Sequence, residues 1–201
     1  MARRHNPYVG DPATRRARSA GYAARSVFKL EEMDRRLGLL GPGQRVLDLG
    51  AAPGSWTQYA AARVGRSGRV IAVDLVPITV ELPAWVTTVV GDALDRQGAV
   101  VESAPFDLVL SDMAPKTSGS RVRDQELSRE LFVGALDVAS KLGRPGSSFL
   151  GKLFMSPAFG QVRNAVAGLY GQCRVMRPAG TRSNSTEVFL AGIGLRPAAS
   201  P

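Results

Sequence analysis

Lys152 lies within the apolar run Phe149-Leu150-Gly151-Lys152-Leu153-Phe154, an unusual setting for a charged amine. Desolvation disfavours an ammonium, so a lysine buried there could serve as a base; alternatively its stem lies along apolar neighbours and its head reaches water at the strand end. Asp112 follows a second apolar run and is embedded in Ser111-Asp112-Met113-Ala114-Pro115. It therefore stands at the carboxyl end of a strand, where the reactive groups of open α/β sheets collect. The stretch Arg45-Val46-Leu47-Asp48-Leu49-Gly50-Ala51-Ala52-Pro53-Gly54-Ser55-Trp56-Thr57-Gln58 reads as a buried strand, a glycine-rich turn and the start of a helix. Gly50 and Gly54 permit close backbone approaches, and the helix start presents unpaired N–H groups, so the turn is a candidate ligand site. Asp74 ends the β-branched run 69–74, 24 residues after Gly50, a position suited to binding ribose hydroxyls or to capping a loop. Asp92 follows the run 86–90 and could accept from the exocyclic amine of an adenine or N-cap a helix.

These residues must be positioned by strands alternating with helices. The pattern predicts strands over 46–49, 69–74, 86–90, 106–110, 147–154, 172–176 and 187–193. Helices are predicted over 26–37, 57–64, 93–102, 124–141 and 157–169. Ser26 is a candidate N-cap for a helix that carries Val27, Leu30, Met33 and Leu37 on one face, with Lys29 at the margin of that stripe. A lysine there is usually a surface group. Alternation up to residue 170 followed by two adjacent strands implies a doubly wound, mostly parallel α/β sheet with an antiparallel edge hairpin. The turn spacing Gly50-x-x-x-Gly54, in place of Gly-x-Gly-x-x-Gly, argues against a dinucleotide dehydrogenase.

At 201 residues and 44% hydrophobic content, the chain is expected to form one domain over 25–194. A basic, partly disordered arm over 1–24 and an unstructured tail over 195–201 are expected to flank it. A net charge of +9 favours a polyanionic partner such as RNA or DNA. Arg3, Arg4, Arg15, Arg16 and Arg18 in the arm, Arg25 immediately after it, Arg121 and Arg123 in a polar loop, and Arg177 and Arg182 in a late loop are the candidate phosphate contacts. No apolar run reaches membrane-spanning length. Cys173 is the sole cysteine, which excludes an intrachain disulfide and a cysteine-based zinc site, so no metal is expected and a reducing, cytoplasmic setting fits. The Arg-rich start contains Asp11 and two prolines and lacks a clean amphipathic helix, so it does not read as a targeting peptide.

Asp48 through Gln58, Ser111 through Pro115, Gly151-Lys152-Leu153-Phe154 and Ser183-Asn184-Ser185-Thr186-Glu187-Val188 occur in an order and spacing that resemble the FtsJ/RrmJ (RlmE) family of RNA ribose 2′-O-methyltransferases. The resemblance runs from about residue 22 to residue 191. It implies a Rossmann-like S-adenosylmethionine-dependent methyltransferase fold with a seven-stranded sheet. It also implies a catalytic tetrad of Lys29, Asp112, Lys152 and Glu187. Cofactor-binding positions carried over from the family fall on Gly50, Pro53, Gly54, Trp56, Asp74, Asp92 and Asp112, and Ser55 replaces a common glycine. Two of only four lysines thus fall in the tetrad, against 22 arginines. Arginine does not lose its proton at workable pH, so a site that needs a titratable cation must keep lysine. The implied substrate is a uridine of large-subunit ribosomal RNA, methylated by a monomer in the cytoplasm. The alternatives are a tRNA methyltransferase and a non-catalytic RNA-binding ribosome-assembly factor.

Overall fold

The computed structural model describes residues 11–179 and 186–197. Seven strands form one sheet: β1 (Arg45–Leu49), β2 (Arg69–Asp74), β3 (Val86–Val90), β4 (Phe106–Ser111), β5 (Gly143–Phe154), β6 (Tyr170–Met176) and β7 (Glu187–Leu195). Their order is β3-β2-β1-β4-β5-β7-β6. Pairings from β3 through β5 are parallel, and β7 runs antiparallel to both β5 and β6. The expected hairpin is present, with β7 folded back against β5 and β6 left as the edge. Chain order reverses between β1 and β4, and the crevice beyond such a switch point is where ligands bind in open α/β sheets.

Helices cover both faces. One core packs α2 (Val27–Leu37) and α3 (Ser55–Val64) onto the sheet through Leu30, Met33, Trp56, Ala60 and Val64. The opposite core packs α5 (Arg121–Leu142) and α6 (Phe159–Leu169) through Phe132, Leu136, Val162 and Val166. Fully burying one such large apolar side chain stabilises the fold by about 1.5–3 kcal/mol. Strand alternation assigns Leu110, Leu150 and Phe189 to the α2/α3 face, and Val109, Phe149 and Leu190 to the other. A buried polar knot fixes α2 to α3. Asp34 accepts from Tyr59 Oη at 2.9 Å and from the Leu40 N–H at 2.8 Å, and it pairs with Arg63 at 3.2 Å.

Three segments carry structure that the sequence pattern left out or drew differently. Residues 12–19 of the basic arm form a helix, α1 (Pro12–Ser19), with Ala17 fully buried, Arg16 over the Phe28 ring at 4.4 Å and Arg25 paired with Asp11 at 2.8 Å. The helix expected over 93–102 shrinks to α4 (Ala99–Glu102). Asp92 instead accepts the Leu94 N–H at 2.9 Å in a local turn, and Gly98 adopts φ +51° immediately before α4. At the other end, β7 continues through a buried Leu195, and the Arg196 side chain caps α6 by donating to the carbonyls of Ala167 and Gly168.

A Cβ at Gly192 in β7 would lie 2.5 Å from two ring carbons of the buried Tyr170. Gly192→Ala is expected to destabilise the fold by about 1–3 kcal/mol through overpacking. The check is a lowered urea midpoint with an unchanged slope.

Candidate active site

The four tetrad residues come from four elements, and strand parity brings them to one face. Leu110 pairs with Leu150, and Ser111 with Gly151, so Asp112 and Lys152 emerge side by side where β4 and β5 end. Lys152 pairs in turn with Phe189 and Phe154 with Glu187, which puts Lys152, Phe154, Phe189 and Glu187 on the α2/α3 face. Lys152 is 8% exposed, and its Nζ donates to the Asp112 carbonyl at 2.5 Å while lying 2.8 Å from Asp112 Oδ1. The contact with Oδ1 is an ion pair without hydrogen-bond alignment, which leaves that oxygen without an aligned donor. Lys29 Nζ donates to Glu187 Oε2 at 2.5 Å and lies 5.9 Å from the Phe189 ring centroid. The tetrad is therefore two neighbouring ion pairs.

Lys29 is aimed by the contact between the N-termini of α2 and α3. Ser26 makes no N-cap bond; its hydroxyl pairs with that of Ser55 at 2.9 Å, and its carbonyl accepts from Trp56 Nε1 at 2.9 Å. Ser55 thus ties the two helices together. Trp56, expected at the cofactor, is instead 2% exposed and packs on Phe189 with ring centroids 5.9 Å apart. Its ring is too large to leave in the turn and fills the core beneath it. Gly54 (φ +110°) lies under Ile78 and Val80, where a Cβ would approach each within 2.8 Å, and Pro53 is exposed beside it. Neither lines the cleft described next; both shape the turn.

That cleft, about 290 Å³, opens at the switch point and is lined by Gly50, Asp74, Asp92, Asp112, Met113 and Leu131 among others. Gly50 has φ +74°, and a Cβ there would stand 2.5 Å from Met113 Cγ and 3.1 Å from Met113 Cα, so only glycine fits. Asp74 accepts the N–H groups of Ala52 and Val76, both at 2.9 Å, one on each carboxylate oxygen. Each oxygen keeps acceptor capacity toward the cleft. Ala93, Met113 and Leu131 supply apolar walls that sequence reasoning missed. Met113 could have been suspected from its place after Asp112. Leu131 gave no local signal, because it arrives from the middle of α5.

Among the candidate RNA contacts, Arg15, Arg16, Arg18, Arg121, Arg123 and Arg177 are exposed. Arg25 is half-buried against Asp11. Arg3, Arg4 and Arg182 lie outside the described residues.

Beneath the cleft, Asp48 is fully buried; its Oδ2 accepts from Thr57 Oγ1 at 2.6 Å, and its Oδ1 has no partner. Burial pushes its carboxyl up to about 7; the Thr57 bond opposes this, and the charges of Asp112 and Asp74 add to it. The unfolded chain ionises this group near 3.8 while the folded protein keeps its proton to about 7, so stability falls as pH rises between those values. Asp48→Asn cannot ionise and lacks that slope, which amounts to at most about 4 kcal/mol. Urea midpoints followed from about pH 4 to about pH 8 should favour the variant progressively as pH rises. Parallel curves for the two proteins would contradict this.

The sequence pattern of the FtsJ-like methyltransferase family matches residues 22–195. The chain is 55% identical over 190 residues to the ribosomal RNA large subunit methyltransferase E of Sorangium cellulosum, covering 94% of this chain and 90% of that one. It is 45% identical to the protein of the same name in Bdellovibrio bacteriovorus, covering 89% of this chain and 93% of the relative. A solved ribosomal RNA methyltransferase structure from Plasmodium falciparum superposes with a TM-score of 0.76 at 20% identity, covering 88% of this chain and all of that one, which supports the fold. With the family pattern matched from residue 22 to residue 195 and relatives this similar along their length, the chain belongs to the FtsJ-like methyltransferase family.

Proposed function

We propose that the protein transfers a methyl group from S-adenosylmethionine to the 2′-oxygen of a ribose in large-subunit ribosomal RNA, with uridine as the target nucleoside. The observation that carries this reading is Asp112. It lines the switch-point cleft and also holds the buried Lys152 amine, so one residue joins a nucleoside-sized cavity to a candidate proton acceptor. The names of the bacterial relatives support the choice of large-subunit ribosomal RNA, and the net charge of +9 supports a polyanionic partner. The tetrad is complete within one chain, which supports action as a monomer. No helix among the described residues is long and apolar enough to cross a membrane, and the reading places the enzyme in the cytoplasm with its RNA.

The cleft fits the cofactor. The Gly50 backbone leaves room that a side chain would fill, Asp74 retains acceptors for ribose hydroxyls, Asp92 stands where an exocyclic amine can be read, and Ala93, Met113 and Leu131 offer apolar walls for a base. When bound, S-adenosylmethionine supplies an electrophilic methyl group on a sulfonium. The chain supplies alignment and a destination for the hydroxyl proton. In its neutral form the Lys152 amine would take the proton that the 2′-hydroxyl gives up when the ribose oxygen displaces sulfur from the methyl carbon, the sulfur leaving as a neutral thioether. The Asp112 carboxylate and carbonyl hold the ammonium that results. Lys29, balanced by Glu187, positions the ribose beside Lys152.

Ribose-methylation mapping of ribosomal RNA treated with the purified enzyme tests the reaction; methylation of transfer RNA alone would overturn the substrate. Lys152→Ala is expected to slow single-turnover methyl transfer by about 10²–10⁴-fold at saturating cofactor and RNA. Lys152→Arg should fail to restore it, because a guanidinium does not release its proton. Near-wild-type turnover by either variant would remove the base assignment. RNA affinity should fall steeply with salt, and Arg121→Ala with Arg123→Ala should flatten the log–log slope by about 0.7–0.9 for each phosphate that is no longer neutralised.

A further inference from the structure

A second cavity, about 420 Å³, opens between the first turn of α5 and the ends of β5 and β7. Its walls include Arg121, Gln125, Phe154, Thr186 and Glu187. It shares Glu187 with the tetrad, and the cofactor cleft shares Asp112, so the two cavities flank the Lys152–Asp112 pair along the sheet order β1-β4-β5-β7. Methyl transfer needs donor and acceptor on opposite sides of the reacting atom. With the cleft over β1 and β4 assigned to the donor, the cavity over β5 and β7 is left for the acceptor.

The side chains lining this cavity suit a nucleobase. Phe154 lies two residues beyond Lys152 on the same strand face, about 7 Å further along at the usual strand rise, and pairs across the sheet with Glu187. A ribose at the Lys152 amine therefore places its own base within reach of the Phe154 ring. Gln125 donates from Nε2 to the Met155 carbonyl at 2.6 Å. Because that partner can only accept, the amide orientation is settled: Oε1 and the second N–H remain to pair with a base edge. Asp124 holds the rim in shape by accepting both the N–H and the hydroxyl of Ser118, at 2.8 and 2.7 Å. Arg121 is exposed at the mouth, where a backbone phosphate would pass.

We infer that this cavity seats the base of the nucleotide being methylated, stacked on Phe154 and hydrogen-bonded by the Gln125 amide, with Arg121 on an adjoining phosphate. The inference rests on the ribose-methylation reading and adds to it a site that reads base identity. The target nucleotide is unstacked from its neighbours, as single-stranded RNA bases are when a protein stacks an aromatic on them.

The test uses methyl-deficient large ribosomal subunits from cells lacking the enzyme, with the mapped target base changed in turn to each of the four bases. Wild-type enzyme should prefer the native base by about tenfold or more in kcat/KM, and Gln125→Ala should erase most of that preference. Phe154→Leu, which keeps bulk but removes the ring, should lower kcat/KM on the native subunit about tenfold, the scale of a single base stack, and Phe154→Tyr should restore it. Cofactor affinity by calorimetry should stay within about twofold in all three variants, which also verifies folding. Equal wild-type rates on all four subunits would overturn the inference. So would a Gln125→Ala enzyme that keeps its preference, a Phe154→Leu enzyme within about twofold of wild type, or cofactor affinity that falls in step with activity. Failure of the underlying reading looks different: wild-type enzyme would then add no ribose methyl to any of the four subunits.

Discussion

The pairing of Lys152 with Asp112 is the constraint on which the rest of the site depends. An amine held at 8% exposure inside an apolar strand must find a counter-charge, because unpaired burial of an ammonium is far costlier than any single packing contact. The partner has to come from a neighbouring strand that ends at the same height. The parallel register of β4 and β5 provides this, since Ser111 opposite Gly151 puts Asp112 next to Lys152. The pair therefore sets how far β4 extends and where its loop turns into the cleft.

Lys29 and Glu187 depend on a different set of interactions. Lys29 sits on a helix whose Leu30 and Met33 bury against the sheet without by themselves fixing its angle. That angle comes from the Ser26–Ser55 bond, from Trp56 Nε1 on the Ser26 carbonyl, and from the Asp34 knot to Tyr59 and Arg63. Trp56 also packs on Phe189, whose cross-strand partner is Lys152. The glycine-rich turn thus acts in two directions. Its Gly50 side opens the cleft, and its Trp56 side braces the lysines.

Charge is divided in space. Asp48, Asp74 and Asp112 gather at the switch point, close enough that the latter two help push the Asp48 carboxyl up to about 7. A field of that sign favours a cationic ligand such as a sulfonium. Arg121 and Arg123 stand exposed on the first turn of α5, and Arg15, Arg16 and Arg18 on α1. This division of charge suits the proposed function, a polyanion outside and a cationic cofactor within.

The amino-acid sequence by itself determined the strand and helix alternation, the placement of Asp74, Asp92 and Asp112 at strand ends, and the oddity of Lys152. Each of these is carried by local periodicity and by residue types whose burial needs an explanation. Tertiary structure alone decided that Lys29 bonds Glu187, 158 residues away, because that bond depends on β7 folding back beside β5. It also sent Trp56 into the core, shortened the helix after Asp92 through a competing side-chain turn, and packed α1 where composition suggested only a basic arm. Leu131 at the cleft and Phe154 at the second cavity follow the same rule. A side chain's face is legible in a strand or helix, but the wall it becomes is set by which elements end together in space.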